Sequence, residues 1–261
     1  MGLDYKTILV ANDGPVRTIT LNRPQRRNAM TPEMQTELLS AFEETAQSRC
    51  RVLVIAGAGE AFCAGLDLSA LEATTDTATV DHRAEAERIA RLFLALRELP
   101  MPTIAAVHGA AIAGGSGLAL ICDFTIATPN AKFGFTEVRI GFIPALVSAF
   151  LALQLGDKQS RDVLLTGRIF NAEEALRLGL VNEVVSQGEL APRVRSLAES
   201  LLANSPQSLA ATKQLMADQH RAWLDSAIVN AIEANAQARE TADFHEGVTA
   251  FLEKRKPMWN R

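Results

Sequence analysis

Only three cysteines occur in the 261 residues, Cys50, Cys63 and Cys122, an odd number with no CxxC pair. That excludes a disulfide framework and predicts a reduced, cytoplasmic compartment. Positive charge is not in excess either. Against 30 Asp and Glu stand 26 Lys and Arg, a net charge of -4, which argues against a nucleic-acid partner. No apolar run reaches membrane-spanning length, and the stretch Met1 to Val10 has no apolar signal-peptide segment. The expectation is a soluble intracellular protein that engages no membrane. A dinucleotide fingerprint is missing as well. Gly115-Ser116-Gly117 would need a third glycine where Leu120 stands, and Gly57-Ala58-Gly59 one where Phe62 stands. No Gly-Lys-Ser/Thr phosphate loop is found, so nucleotide redox chemistry is not expected.

What is present is apolar: 48% hydrophobic residues suffice for one sizeable core, or a core with an appendage. The pattern of residues is organised around the stretch Pro102 to Pro144. Thr103–Val107 is short, apolar and partly β-branched, and reads as a buried strand. Gly114, Gly115 and Gly117 open a buried helix that runs through Leu118 and Ile121. Backbone N–H groups at such a helix start lack intrahelical partners, and the dipole there favours negative charge. A second strand, Val52–Ile55, is followed by a comparable turn, Ala64-Gly65, as Val107 is by Ala113-Gly114. Two converging N–H groups are what a thioester or ester enolate requires.

The remaining segments fall into place around these turns. Lys6 to Val10 and Val16 to Leu21 predict a hairpin across Asn12-Asp13-Gly14-Pro15. Thr31 and Pro32 are a helix cap and first helical residue, and Leu38, Leu39 and Phe42 give that helix its apolar face. Leu71 to Val80 is expected as a loop, and Ile89, Leu92, Phe93 and Leu96 as a helical stripe. Short strands are expected at Phe124 to Ala127 and Ala131 to Phe133, and a last one at Leu180 to Val185. Asn171 caps a helix that ends at Gly179. From Glu189 onward the pattern is helical, with breaks predicted near Pro206 and between Asp218 and Asp225. The expected organisation is a core over residues 1–200 and a helical region over 201–261. His108 reads as a structural histidine, Cys63 as packing, and Asp123 as a cap or pair within the core.

Several segments, taken together in this order and spacing, resemble the enoyl-CoA hydratase/isomerase (crotonase) superfamily over essentially the whole length. They are Asn22-Arg23-Pro24 through Asn28-Ala29-Met30, Ala61 through Leu68, Ala106-Val107-His108-Gly109 through Asp123, Phe133 through Glu137, Gly141-Phe142-Ile143-Pro144, and Glu246-Gly247 through Lys256. The resemblance implies an α/β fold, a crotonase-like spiral of repeated ββα units with a C-terminal α-helical trimerisation region. It also implies an acyl-CoA thioester substrate, a place in fatty acid or lipid metabolism, and a homotrimer or dimer of trimers. Coenzyme A would be part of the substrate, with no metal and no redox cofactor. Position by position, Leu66 and Gly114 match the two backbone donors of the oxyanion hole and Glu137 the catalytic carboxylate. Arg26, Arg27, Ala29, Ala64, Asp67 and Leu68 match positions that hold coenzyme A. Phe251 and Lys254 match C-terminal residues that reach a neighbouring subunit's coenzyme A.

One departure bears on the reaction. Hydratases of this family carry a second glutamate three residues after the glycine donor, where this chain has Gly117. Two carboxylates suit hydration because they hold one water while protons move on and off it. A single carboxylate suits an isomerase that moves a double bond, yet the run from Glu137 to Ala145 also resembles single-glutamate hydratases. Hydration is the favoured reading, isomerisation the alternative, and a non-catalytic acyl-CoA-binding trimer a third. On the sequence, Gly117→Glu is expected to place a carboxylate opposite Glu137 and raise the ratio of hydration to isomerisation.

Overall fold

Strand alternation explains how the two layers form in the computed structural model, which describes residues 5–68 and 82–259. The loop expected at Leu71 to Val80 lies outside the described residues. Strands β1 (Ile8–Asp13) and β2 (Val16–Leu21) pair antiparallel, with Asp13 opposite Val16 across Gly14-Pro15. Next to β2 run β3 (Val52–Gly57), β5 (Thr103–Val107), β7 (Phe124–Ala127) and β10 (Glu183–Val184), all parallel, to complete a six-stranded sheet. A second sheet takes the short strands β4 (Ala61–Cys63), β6 (Ala110–Ile112), β8 (Lys132–Gly134) and β9 (Ile169–Asn171).

Successive strands therefore alternate between sheets: β3 then β4, β5 then β6, β7 then β8, each pair followed by a helix. This is the expected ββα spiral. Its helices are α2 (His82–Arg97), α3 (Gly114–Ile121) and α4 (Ala145–Thr166), the last interrupted at Gly156. Helix α1 (Pro32–Gln47) follows the hairpin, with Thr31 Oγ1 accepting from Met34 N at 3.2 Å.

Both faces of the large sheet are buried, as parallel strands require. On β3, Leu53 and Ile55 face the main core, which they share with Phe42, Phe93, Leu118 and Phe133. The alternate residues Val52 and Val54, with Ile104 and Ile126, face α6 (Leu190–Leu202) through Val194, Ala198 and Leu201. A short helix α5 (Ala172–Arg177) is capped by Asn171, whose Oδ1 accepts from Glu174 N.

The C-terminal region departs from expectation in one respect. The predicted break between Asp218 and Asp225 is absent. Instead α7 runs 34 residues, Pro206–Arg239, and its surface there is laced by Gln214 and Arg221, which both donate to Asp218. Such pairs at helical spacing support the helix that the charged residues had suggested would stop. Leu224, Ile228, Ala231 and Ile232 of α7 join the main core. Helix α8 (Ala242–Leu252) then folds back, and Phe244 and Val248 pack on Phe142. Among the described residues, no helix is long and apolar enough to cross a membrane.

Candidate active site

The two glycine turns meet. Leu66 forms an isolated parallel bridge with Met30, in which Met30 N donates to Gly65 O at 2.7 Å and Asp67 N to Met30 O at 3.1 Å. The flanking residues supply those bonds, so the N–H of Leu66 itself points to the opposite side. Gly65 has φ 91, a left-handed conformation suited to glycine. A Cβ there would lie 2.9 Å from Ile112 O and 3.5 Å from Gly114 N, so the Ala64–Leu66 turn is pressed against the start of α3. The N–H of Gly114 stands at that helix start, where the intrahelical ladder supplies no acceptor. Ala113 enters the helix at φ 53 and ψ -123, a conformation sparsely populated by residues with a Cβ. Its own N–H is fixed to Gly134 O at 2.7 Å, which ties the donor turn to β8.

Glu137 begins a 3-10 turn (Glu137–Ile140) just after β8. Its backbone carbonyl accepts from Phe142 N at 3.1 Å, closing the turn through Gly141. The residue is 9% exposed and its Oε2 has no hydrogen-bond partner among the described residues. Burial in apolar surroundings penalises the ionised form and pushes its pKa up to about 7. A carboxyl poised there can both take and return a proton near neutral pH.

Glu137, Leu66 and Gly114 line one cavity of about 180 Å³, together with Ala64, Leu68 and Phe251. Its walls are apolar: Ile89, Phe93, Ile112, Phe142, Ile143 and Val147. Six of the expected site residues thus come together. The rest are not among the residues that line it. Arg26 and Arg27 are exposed, and Arg27 O accepts from Ala64 N at 2.9 Å, so this loop is tied to the Ala64–Leu66 turn. Ala29 is partly buried in the same loop, its carbonyl bound by the Arg23 guanidinium. The carboxylate of Asp67 is held by Arg23 at 3.0 Å, so it braces this loop. Lys254 is exposed past the end of α8. Phe251, expected at a neighbouring subunit's coenzyme A, lines the cavity of its own chain because α8 folds back over the Glu137 turn.

The structural readings of the other singled-out residues hold. His108 Nε2 bonds Gly59 O at 2.8 Å. Asp123 accepts from Thr103 N and Oγ1 and from Lys213 Nζ. Cys63 is fully buried, donates to Asn28 O, and burial pushes its thiol up to about 12, so it is inert.

Two supporting residues were not singled out by the sequence. Asn28, wholly buried, accepts from Arg23 N and donates to Ala58 O and Ala61 O, binding the loop before α1 to β4. Its φ of 55, the second of two consecutive left-handed residues, is the kind of position asparagine tolerates. Asn235, on α7, also lines the cavity. The only sequence signal for it is its spacing in an otherwise apolar helical stripe.

Gly117 is not an open slot. A Cβ there would come 2.5 Å from Val147 Cγ1 and 3.1 Å from the Phe93 ring. The expected effect of Gly117→Glu is therefore corrected: apolar side chains occupy the space a second carboxylate would need.

The comparisons with known proteins agree with this geometry. The family model for enoyl-CoA hydratase/isomerase matches residues 12–261. The chain is 43% identical to a Thermus thermophilus protein assigned as an enoyl-CoA hydratase, over 94% of this chain and 98% of that one. It is 32% identical to the short-chain-enoyl-CoA hydratase of Clostridium acetobutylicum, covering 97% of each. Among solved structures, an enoyl-CoA hydratase from Mycobacterium avium subsp. paratuberculosis superposes with a TM-score of 0.87 at 28% identity, covering 98% of this chain and 99% of the other. With its spiral of alternating sheets, its paired donor turns and this full-length match, the chain belongs to the enoyl-CoA hydratase/isomerase family.

Proposed function

We propose that this chain adds water across the double bond of a short 2-enoyl-CoA thioester, with Glu137 as its one catalytic carboxylate. The observation that carries the reading is a buried Glu137 carboxyl, its Oε2 without a partner among the described residues, in the same apolar cavity as Leu66 and Gly114. The thioester oxygen would accept from both N–H groups. As water oxygen bonds to C3, one water proton passes to the Glu137 carboxylate and the C2=C3 electron pair moves onto the thioester as an enolate. Glu137 then delivers that proton to C2, the enolate collapses, and H and OH have been added. The carboxylate ends as it began. Coenzyme A enters and leaves as part of the substrate.

Size supports a short acyl group. An apolar cavity of ~150 Å³ holds a benzene molecule, and the one here is about 180 Å³. The second reading, double-bond migration, is favoured by the single carboxylate, since Glu137 could take a proton from C4 and return it to C2. A panel of 2-enoyl-CoA and 3-enoyl-CoA thioesters of increasing length separates the two. Water addition to short 2-enoyl chains, falling off as the chain lengthens, is the expected outcome. Migration without any water addition would sink the hydratase reading. Thioester binding without turnover of any kind would support the non-catalytic alternative.

The same proposal includes a homotrimer or dimer of trimers acting in a reducing compartment such as the cytoplasm. Leu215, Met216, Trp223 and Val229 on α7 are exposed, an apolar row that association would cover. The three cysteines are free, in keeping with a reducing compartment. Light scattering at micromolar concentration should give three or six times the 28.2 kDa chain mass. A monomer there would refute the assembly.

A further inference from the structure

The apolar stripe of α7 runs Leu224, Ile228, Ala231, Ile232, and the next two positions on that face are Asn235 and Arg239. Both are buried, at 4% and 1% exposure. Arg239 is accounted for in part: its guanidinium pairs with Glu85 and lies over the Phe142 ring, fastening this end of α7 beside the Glu137 turn. Asn235, one helical turn earlier, is not accounted for. Its Oδ1 is buried without a hydrogen-bond partner, and the residue lines the same cavity as Glu137. A buried polar group left unpaired costs roughly 1–3 kcal/mol, so the end of this apolar stripe carries an amide oxygen with no partner among the described residues.

Two buried oxygens in this cavity lack partners among the described residues, Glu137 Oε2 and Asn235 Oδ1. Water has two protons to place. We propose that Asn235 is the second water-holding group of this site, accepting one hydrogen of the attacking water while Glu137 accepts the other. The inference rests on the hydratase reading above. Glu137 removes its proton as the oxygen bonds to C3. The hydrogen on Asn235 stays on oxygen throughout and becomes the hydroxyl hydrogen of the product. Asn235 is neutral, so it orients the water without setting a second negative charge against Glu137. Hydration with one carboxylate then needs nothing at Gly117, where Val147 and Phe93 fill the space.

The test separates water attack from enolate formation. Exchange of the C2 protons of a saturated acyl-CoA in heavy water needs Glu137 and the oxyanion donors but no attacking water. Asn235→Leu, nearly the same size, should slow hydration of a short 2-enoyl-CoA by ~10–100-fold while C2 exchange stays within about twofold of the parent. Asn235→Ala, which only removes atoms, should show the same split if leucine disturbs the fold. Unchanged hydration in both variants would overturn the proposal. So would an equal fall in hydration and exchange, which would make Asn235 a structural residue. If the unaltered chain exchanges C2 protons yet hydrates no 2-enoyl-CoA, the hydratase reading itself fails, and that result is visible before any variant is made.

Discussion

Glu137→Gln should lower turnover ~10²–10⁴-fold, the range a positioned general acid/base contributes, while acyl-CoA affinity changes little. The amide keeps the shape of the side chain but can neither take the water proton nor return it to C2. Full activity in this variant would place the base elsewhere. The parent's kcat/KM should rise with pH through about 7, because only the ionised carboxylate can act as base. The same substitution should stabilise the fold, with a pH dependence of defined sign. Below the ordinary value of 4.5 the carboxyl is protonated in both folded and unfolded chains, and it costs nothing. As pH rises from there towards about 7, the unfolded chain ionises first and the parent loses stability. Above 7 the loss is complete, on the order of 3 kcal/mol. Glu137→Gln lacks this penalty, so its thermal midpoint should exceed the parent's at pH 8 and match it at pH 4. Equal midpoints at both pH values would mean that the carboxyl is not buried as described.

Gly117→Glu should damage the protein rather than improve hydration. Its Cβ alone would sit 2.5 Å from Val147 Cγ1, and the rest of the side chain would have to displace the Phe93 ring. Overpacking of that kind costs ~1–3 kcal/mol, and a second buried carboxylate near Glu137 adds several kcal/mol more. The expected result is a lower thermal midpoint and a loss of both water addition and proton exchange. Pairing it with Val147→Ala, which removes the nearest obstruction, should recover part of the stability. A Gly117→Glu protein of parental stability and faster hydration would show that the space is open after all.

Much of this site was legible in the sequence because backbone leaves a clear trace. An Ala-Gly turn after each of two apolar strands, at Ala64-Gly65 and Ala113-Gly114, is a local pattern, and the structure brings the two turns into contact. Glu137 was legible only through the family resemblance of the run Phe133 to Glu137, since a lone glutamate near a glycine-rich turn otherwise reads as a solvated surface residue. The second sheet was harder to see. β4 and β6 are three residues each, too short to show alternation, and they pair only with each other and with β8. Asn235 was missed for the opposite reason: it continues a clear apolar stripe, and a polar residue at the end of such a stripe reads as the point where burial stops. Only the cavity, which residues of both α7 and α2 line, shows that burial continues past it. The occupant of the Gly117 space was likewise invisible, since Val147 lies thirty residues further along and nothing local links the two.

The way α8 closes on the Glu137 turn has a consequence for the order in which the chain is made. A Cβ on Gly247 would fall 2.3 Å from the Ile140 carbonyl, and the Phe142 and Phe244 rings meet at a tilt of 46° with centroids 5.0 Å apart. The turn that carries the carboxylate is thus clasped by a helix synthesised after every other part of the site. Domains begin folding from the N-terminal side as they leave the ribosome, so the oxyanion turns can meet early. The contacts that α8 makes with the Glu137 turn cannot form until α8 has emerged. A nascent chain stalled before residue 242 would have its spiral and its donor turns, but not the α8 contacts on the Glu137 turn.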